Sequence, residues 1–554
     1  VEGGENQPRL YSACLAHLPD AVLDSYLAGL GPGSDLNHRN TTFDRALLRR
    51  LLYAVRGGPF PERPLRLGNV DFSGATFEGH ALFVGATFEG QARFFEATFS
   101  DGAVFSEATF QGPADFRRAT FQDDAQFLGA SFEGQAQFFE ATFQGDAKFD
   151  SATFQDDAQF SGATFQGDAK FAGATLQGDA RFSESTFERA SRMGPLACRG
   201  TVDFSAALMN AAIIIEVAAR ALDCQRTRWV STAALRLRHA TVDLSDAVLE
   251  YPVSVTAHAT PFPWGEGDEA VDETGIDPAP VRILSLRGVD AAHLSLTDVD
   301  LTTCRFAGTI HLDQLRMYGQ CPLPAAPTGW QRHGLLPIRP TARQTLAEEH
   351  HWRAGRSPAT AGWIPRLAGS VRLEPAVLVP LYRELRKAFE DGKNEPGAAD
   401  FYYGEMEMRR HDPRTPAAER FLLRLYWALS GYGLRASRAL GWLLVAMITT
   451  VLLMMLWGLP QEAPEPVSTG TVDGHSLTLT TDTPAPQNPD DPYSERMSTE
   501  RFDSALRVVI NSVVFRSSGQ DLTTFGTYTE MASRFTEPVL LGLAALAIRG
   551  RVKR

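Results

Sequence analysis

The sequence predicts a mainly β fold, a solenoid of square coils with helices at both ends. Three observations carry this. Aromatic residues recur at steps of five and six, from Phe77, Phe83, Phe88, Phe94 and Phe99 onward to Phe187, with Leu176 the one substitute. That run spans 110 residues, ten periods of eleven, and a fixed short period marks a repeat architecture. Ala stands two residues before nearly every Phe, as in "ATF" and "DAKF". Residues two apart in an extended segment share a face, so Phe fills the interior while Ala leaves room for a neighbouring ring. After each "ATF" comes "QG", "EG" or "DD", where Gly or Asp supplies the unusual backbone angles of a corner. Alternate corners carry one extra residue, so four sides close a coil of 22 residues, stacked at about 4.8 Å. A helix needs apolar steps of three and four and is excluded by this spacing.

Taken in order, residues 1–66 are a helical N-terminal cap. "VEGGENQPRL" lacks a basic stretch followed by an apolar core, so a cleaved secretion signal is not indicated. Whether Val1 is an alternative start or a trimmed end is open. "FDRALLRRLLYAV" (43–55) is amphipathic and suits a cover for the open end of the first coil. Residues 67–200 are the regular repeat. They resemble the pentapeptide-repeat family, whose unit is A-[DN]-[LF]-x-x; here the centre is mostly Phe and alternate units are six long. The resemblance implies a right-handed quadrilateral β-helix. A degenerate continuation runs through 201–320, with "VDFSAAL", "ATVDLSDAVL", then Leu296, Leu301, Phe306, Leu312 and Met317 at steps of five or six. It is interrupted near 261–280 by an acidic, Pro- and Gly-rich excursion loop.

Residues 321–376 read as a Pro-rich linker and 377–436 as a helical juxtamembrane segment. In the latter Leu381, Leu385 and Phe389 fall on one helix face, and Tyr402, Met406 and Arg409 on a second helix; helix packing with surface ion pairs explains it. Residues 439–459 are 21 uncharged residues flanked by Trp442 and Trp457, long enough to cross a hydrocarbon core of about 30 Å. Residues 460–500, acidic and Pro-rich, are expected to form a flexible extracytoplasmic loop. A second crossing is expected at 532–549, with Arg534 and Glu537 turned toward protein, ahead of the basic tail 550–554. By the excess of Arg before the first crossing and after the second, both termini are cytoplasmic. The resemblance to bacterial pentapeptide-repeat membrane proteins places such a chain in the plasma membrane.

Between the crossings, 501–528 reads as a pore-helix-like or re-entrant segment. The order helix, loop, short helix "VVINSVVF", loop "RSSGQDLTTFG", helix resembles the two-helix pore domain of potassium-type channels. That resemblance implies a filter-like loop containing Arg516, Ser518, Gly519, Gln520, Asp521 and Gly526. A potassium filter needs a T-x-G-[YF]-G run to aim consecutive carbonyls at the ion. Here Ser518, Gly519 and Gln520 stand instead, and Arg516 brings a positive charge.

Charge and cysteine usage narrow the function classes. The net charge is −13, and between Ala75 and Ala190 there are 18 acidic and 7 basic residues, giving −11. An acidic rod excludes nonspecific nucleic-acid binding. Some pentapeptide-repeat proteins resemble DNA and protect gyrase, but those are small soluble dimers. The plainer reading is a solvated surface that keeps stackable coils soluble. Cys14, Cys198, Cys224, Cys304 and Cys321 contain no C-x-x-C pair, so neither a zinc site nor a redox dithiol is indicated.

No dinucleotide or phosphate-loop motif and no G-x-S-x-G is present. "EEHHW" (348–352) gathers metal-ligating residue types, yet adjacent His residues on a helix point about 100° apart and serve one ion poorly. No catalytic residue, cofactor or metal is expected. Some similar-looking proteins are labelled membrane-associated oxidoreductases, without support here from any flavin, nicotinamide or dithiol motif. The expectation is a non-enzymatic, membrane-anchored scaffold whose partners are the lipid bilayer, a cytoplasmic protein and further copies of the chain. The alternative is a channel-like protein with a degenerate pore domain.

Overall fold

Backbone pairing repeats every 22 residues through the Phe-rich region. Thr109 pairs in parallel with Thr87 and Ser131, Ala114 with Ala92 and Ala136, Thr120 with Thr98 and Thr142, and Ala125 with Ala103 and Ala147. These are four parallel ladders, one for each side of a four-sided β-solenoid. The computed structural model describes residues 14–58, 64–189, 191–265, 270–328, 331–333, 336–338, 341–355, 362–365, 372–461, 465–473, 476–482, 484–514 and 516–552. The chain divides into two compact units, Val1–Asn394 and Glu395–Arg554, and the solenoid belongs to the first.

The interior is a bundle of aromatic stacks. Phe94, Phe116 and Phe138 lie one above another at 4.8 and 5.0 Å with planes 1° apart, which is the strand spacing itself. Neighbouring stacks meet edge to face, as Phe105 and Phe116 do at 5.4 Å and 82°, a geometry that the ring quadrupole favours. The inward Phe and Ala residues of the regular coils are buried.

The corners correct one sequence expectation. Positive φ does not fall at the "QG" and "DD" corners but at the residue before each "ATF", every eleven residues: Gly85, Glu96, Glu107, Arg118, Gly129, Glu140 and Ser151 among them. Gly in the "QG" corners answers to a different constraint. A Cβ on Gly145 would stand 2.5 Å from the Asp123 carbonyl carbon of the coil below, so Gly145 has no room for a side chain, although Asp123 and Asp156 fill the corresponding corner of other coils. Asp side chains tie those coils together: Asp124 accepts the Asp146 amide and the Lys148 ammonium, and Asp146 accepts the Asp168 amide and the Lys170 ammonium.

Beyond Arg192 the coil shortens. Within Arg192–Asp203 the partner offset falls from 22 (Arg192 with Ile214) to 20 (Thr201 with Ala221) through two irregularities, and the next coils keep 20 (Ile213 with Ala233). The extra corner residue is lost, leaving four sides of five. The excursion near 261–280 is docked outside the coils: Phe262, Val271 and Ile276 pack on Ala197 and Ala218, and Arg238 holds Glu273 at 2.6 Å. Its residues 266–269 lie outside the described residues. Leu296, Leu301, Phe306 and Leu312 are buried as the spacing predicts; Met317, in the terminal strand Arg316–Tyr318, is half-buried.

Both ends of the solenoid are covered. Helices α1 (Asp20–Ala28) and α2 (Arg45–Arg56) lie at the first coil, α2 turning Leu48, Leu51, Leu52 and Val55 inward, with Asp44 accepting the Leu47 amide at its start. Residues 1–13 and 59–63 of the expected cap lie outside the described residues. At the other end, α3 (Ala347–Ala354), in the stretch read as a linker, is largely buried, and α4 (Pro375–Asp391), nearly all of it in the stretch read as a juxtamembrane helix, packs its Leu378, Tyr382 and Leu385 face beside Leu312–Gln314. The charged string Glu348–Glu349–His350 masked this cap, because buried charges are legible only with their partners.

The second unit contains α5 (Glu395–His411), α6 (Ala417–Ser430), α7 (Ala436–Leu453, extended by a π turn, Met454–Gly458), α8 (Tyr493–Arg496), α9 (Thr499–Val513) and α10 (Thr524–Val552). The expected flexible loop contains an antiparallel hairpin, Val467–Asp473 with Ser476–Asp482. Its alternating Thr, Val and Leu and the Asp473–Gly474 turn signal outweigh the Pro-rich, acidic composition. Residues 474, 475, 553 and 554 lie outside the described residues.

Candidate functional site: a re-entrant segment and a polar seam

Two helices of the second unit are long and apolar enough to cross a membrane: Ala436–Gly458, mean hydropathy 2.3, and Thr524–Arg549, mean hydropathy 1.4. Each leaves large apolar side chains exposed, among them Leu444, Val445 and Ile448 on α7 and Tyr528, Phe535 and Leu546 on α10. α9 packs against both. Its first turn sits at the end of α7, where the Arg501 guanidinium donates to the carbonyls of Met455, Leu459 and Pro460 at 2.8–3.1 Å. These are the carbonyls that a helix C-terminus leaves without intrahelical partners. The other end of α9 meets α10 well below its start. Ser512 Oγ lies 2.9 Å from Ser533 Oγ, nine residues and about 13 Å into α10. Residues 516–523 then climb back, and Thr523 donates from its amide to the Gly458 carbonyl and from its hydroxyl to the Trp457 carbonyl. Helix in and extended chain out make a re-entrant hairpin beside two long helices.

The sequence-predicted site residues are divided by this geometry. Arg516, Gly519 and Asp521 are exposed; Gly519 has φ +65 with nothing near an added Cβ. Ser518 is half-buried and its amide donates to Glu530 Oε1 at 2.8 Å. Gln520 is half-buried, its amide donating to Ser518 Oγ at 3.4 Å. Gly526 is not a loop residue. It lies in the first turn of α10, and a Cβ there would stand 2.2 Å from the Gly458 carbonyl oxygen. Thr523 is the N-cap, its hydroxyl accepting the Gly526 amide at 3.1 Å. The "TTFG" string was thus a helix start rather than a filter end. α9 also begins nine residues before "VVINSVVF", at the Ser498 cap.

Glu537 is turned toward protein as the sequence reading expects, whereas Glu530, Ser533 and Ser512 beneath the loop were not anticipated. Thr523 at the cap and Gly526, Glu530, Ser533, Glu537, Leu540, Ala544 and Ala547 of α10 are buried at a three-four spacing that forms one seam, with Pro538 buried beside it. Its outer half is polar and its inner half apolar. Glu537 is fully buried, and Thr450 Oγ1 of α7 lies 3.0 Å from its Oε1. An amphipathic spacing with Glu at two seam positions was the available signal. Outside the seam, α7 and α9 border an apolar groove of about 560 Å³ lined by Leu444, Ile448, Met455, Phe502 and Leu506.

The residues of "EEHHW" serve the solenoid cap. Glu348 Oε1 accepts the amides of Phe306 and Ala307 at 2.6 and 3.0 Å. Glu349 is bonded by Arg343, Arg353 and Tyr382. Burial acts to raise the Glu349 pKa, but the two guanidiniums and the phenol outweigh it and hold the carboxyl at about 2. His350 lies 2.8 Å from Thr345 Oγ1 and packs on Trp363; burial lowers its pKa to about 4. Among the described residues no three His, Cys, Asp or Glu side chains converge as metal ligands. Burial pushes the Cys198 thiol up to about 12 and those of Cys224 and Cys304 upward too, which leaves them poor nucleophiles.

Comparison with known proteins bears on the solenoid. Residues 67–109, 94–142, 127–175 and 149–195 match the family model described as pentapeptide repeats. No curated protein and no solved structure matches the chain. The stretch 67–195, under a quarter of the chain, is therefore a run of pentapeptide repeats folded as a parallel β-solenoid.

Proposed function

We propose that the chain is a membrane-anchored pentapeptide-repeat scaffold: the second unit is held in a bilayer and the solenoid presents long flat sides to protein partners. The observation that carries this is the pairing of a solid solenoid with helices whose outward faces are apolar. A core of stacked Phe and small Ala has no room for a substrate, so the solenoid's usable chemistry is on its surface. Exposed Leu444, Val445, Ile448 and Phe535 are satisfied by lipid. α6 adds a second contact of the same kind, exposing Phe421, Leu422 and Leu425 beside Arg420 and Arg424, the composition of a helix lying in a membrane interface. Arg435 and Arg438 before the first crossing and Arg549 and Arg551 after the second favour a cytoplasmic solenoid and an external hairpin. The acidic surface is partly spent on coil-to-coil bonds, so partner recognition falls to the charges left over, in an assembly of several copies.

A channel-like activity is the second reading, and the re-entrant geometry of α9 and residues 516–523 favours it. Backbone that is neither helix nor sheet is tolerated at membrane depth only where protein or water covers it. Ion flux from liposomes carrying the purified full-length protein separates the two. The scaffold reading expects no flux above that of empty liposomes; flux that a Gly519→Trp variant abolishes replaces it with a pore.

A further inference from the structure

Glu537 is a fully buried carboxyl of the second unit, and the hydroxyl bonded to it is shared with a helix carbonyl. The Thr450 hydroxyl lies 3.0 Å from the Ala446 carbonyl oxygen and 3.0 Å from Glu537 Oε1. A hydroxyl carries one proton, and the helix carbonyl can only accept. If Thr450 donates to Ala446, nothing is left for a carboxylate, whereas a carboxylic acid donates to Thr450 and completes the chain Glu537 to Thr450 to Ala446. The second carboxyl oxygen, Oε2, is buried with no partner, an arrangement costly for an anion and tolerable for a neutral acid.

Among the described residues no cation forms an ion pair with it. α7 and its π turn contribute no titratable side chain between Ala439 and Gly458. On α9, Arg501 is committed to carbonyls at the end of α7 and Arg507 pairs with Asp503 on the exposed side. From α6, Glu419 is paired with Arg409, while Arg420, Arg424 and Tyr426 belong to the segment before the first crossing. On α10 itself stand Tyr528, exposed, Arg534, half-buried, and Glu530. Among the described residues none makes an ion pair with Glu530 or Glu537.

We propose that Glu537 is a proton-binding site inside the membrane unit, carrying a proton on Oε1 donated to Thr450 and exchanging it along the polar seam. The route outward is built from the same seam. Ser533 and Ser512, hydroxyl to hydroxyl at 2.9 Å, lie one turn from Glu537, and Glu530 lies one turn further, bonded to the Ser518 amide of the re-entrant segment. Two carboxyls one above the other on a helix, with a hydroxyl pair at the turn between them and a loop beside the outer one, suit the proton relays that ionisable residues form in membrane spans. Exchange moves a proton between oxygens, with no electron transferred and no bond other than O–H made or broken. The inference rests on the reading of the second unit as membrane-inserted.

The test uses full-length protein reconstituted in phosphatidylcholine vesicles and recovered with them on flotation. Infrared difference spectra are taken from mildly acidic to alkaline pH in light and heavy water. The expected result is a protonated-carboxyl C=O band at neutral pH that shifts in heavy water, titrates away on alkalinisation and is missing from Glu537→Gln. Thr450→Val should keep that band and move its frequency, because the hydrogen bond is lost while the acid remains; this holds even if Glu537→Gln does not fold. A wild-type spectrum without the band, or a band that Glu537→Gln and Thr450→Val both leave unchanged, overturns the proposal. Protein that does not float with the vesicles overturns the membrane reading instead, and the proton site with it.

Discussion

Each residue of a coil is judged by the side it faces, and adjacent positions give opposite predictions. Phe138 is buried in a stack while Phe139 is 40% exposed. Phe138→Ala should cost about 3–5 kcal/mol and Phe139→Ala within about 0.5 kcal/mol, read from thermal or denaturant unfolding. The corners allow a second comparison. Gly145→Ala forces a Cβ against the backbone of the coil below, whereas Gly129→Ala meets only the Glu107 side chain at 3.9 Å and has the strain of φ +64. The first should cost more than the roughly 1–2 kcal/mol of a left-handed Ala; equal losses would mean that coil spacing is not what fixes Gly145. At this scale the inward Phe and Ala residues were legible because period and chemistry coincide. The left-handed position was not, because Glu, Arg and Ser occupy it as often as Gly, the stacked ladders holding them there. Glu537 was legible as a protein-facing acid, but its partner Thr450 and the burial of Glu530 were not, because a buried acid is identified by its partners and those lie on other elements.

At the scale of elements, the caps decide whether the solenoid ends are closed. Glu348→Ala leaves the amides of Phe306 and Ala307 without their acceptor and should cost about 1–3 kcal/mol, with faster hydrogen exchange at those two amides as the direct readout. Acid should act on both caps. His38, packed among Tyr26, Phe43 and Phe72 at the first coil, and His350 at the last each have a pKa lowered to about 4 by burial. Below about 6.5 the unfolded chain takes up protons that the folded caps refuse, so stability falls as pH drops from about 6.5 toward 4. Glu349, held at about 2, loses its contribution only at lower pH, between its ordinary value and about 2. Replacing both His residues with Gln should flatten the first phase of an acid-unfolding curve. Helix α2 was legible from its apolar spacing, and α7 from its length. α3 and the 467–482 hairpin were not, since charge in one and Pro in the flanks of the other concealed elements that tertiary or cross-strand pairing stabilises.

For the whole molecule, the sequence pattern carried the solenoid much further than the helical unit. A repeat states its fold many times over, so single departures such as Leu176 do no harm. The second unit states each contact once. Its two long apolar helices follow from apolar length, but the Gly526–Gly458 approach, the Thr523 cap and the seam of α10 emerge only when helices distant in sequence are brought together.

In the topology proposed from the arginine distribution, two crossings hold the 467–482 hairpin and the solenoid on opposite faces of a membrane. Single cysteines introduced at exposed Leu479 of the hairpin and exposed Phe139 of the solenoid, in chains whose native cysteines are replaced, test it with an impermeant thiol reagent on intact cells. Labelling of Leu479→Cys in intact cells, with Phe139→Cys labelled only after permeabilisation, is the predicted result. Labelling of both positions from the same side, or release of the full-length protein into the soluble fraction, would contradict it.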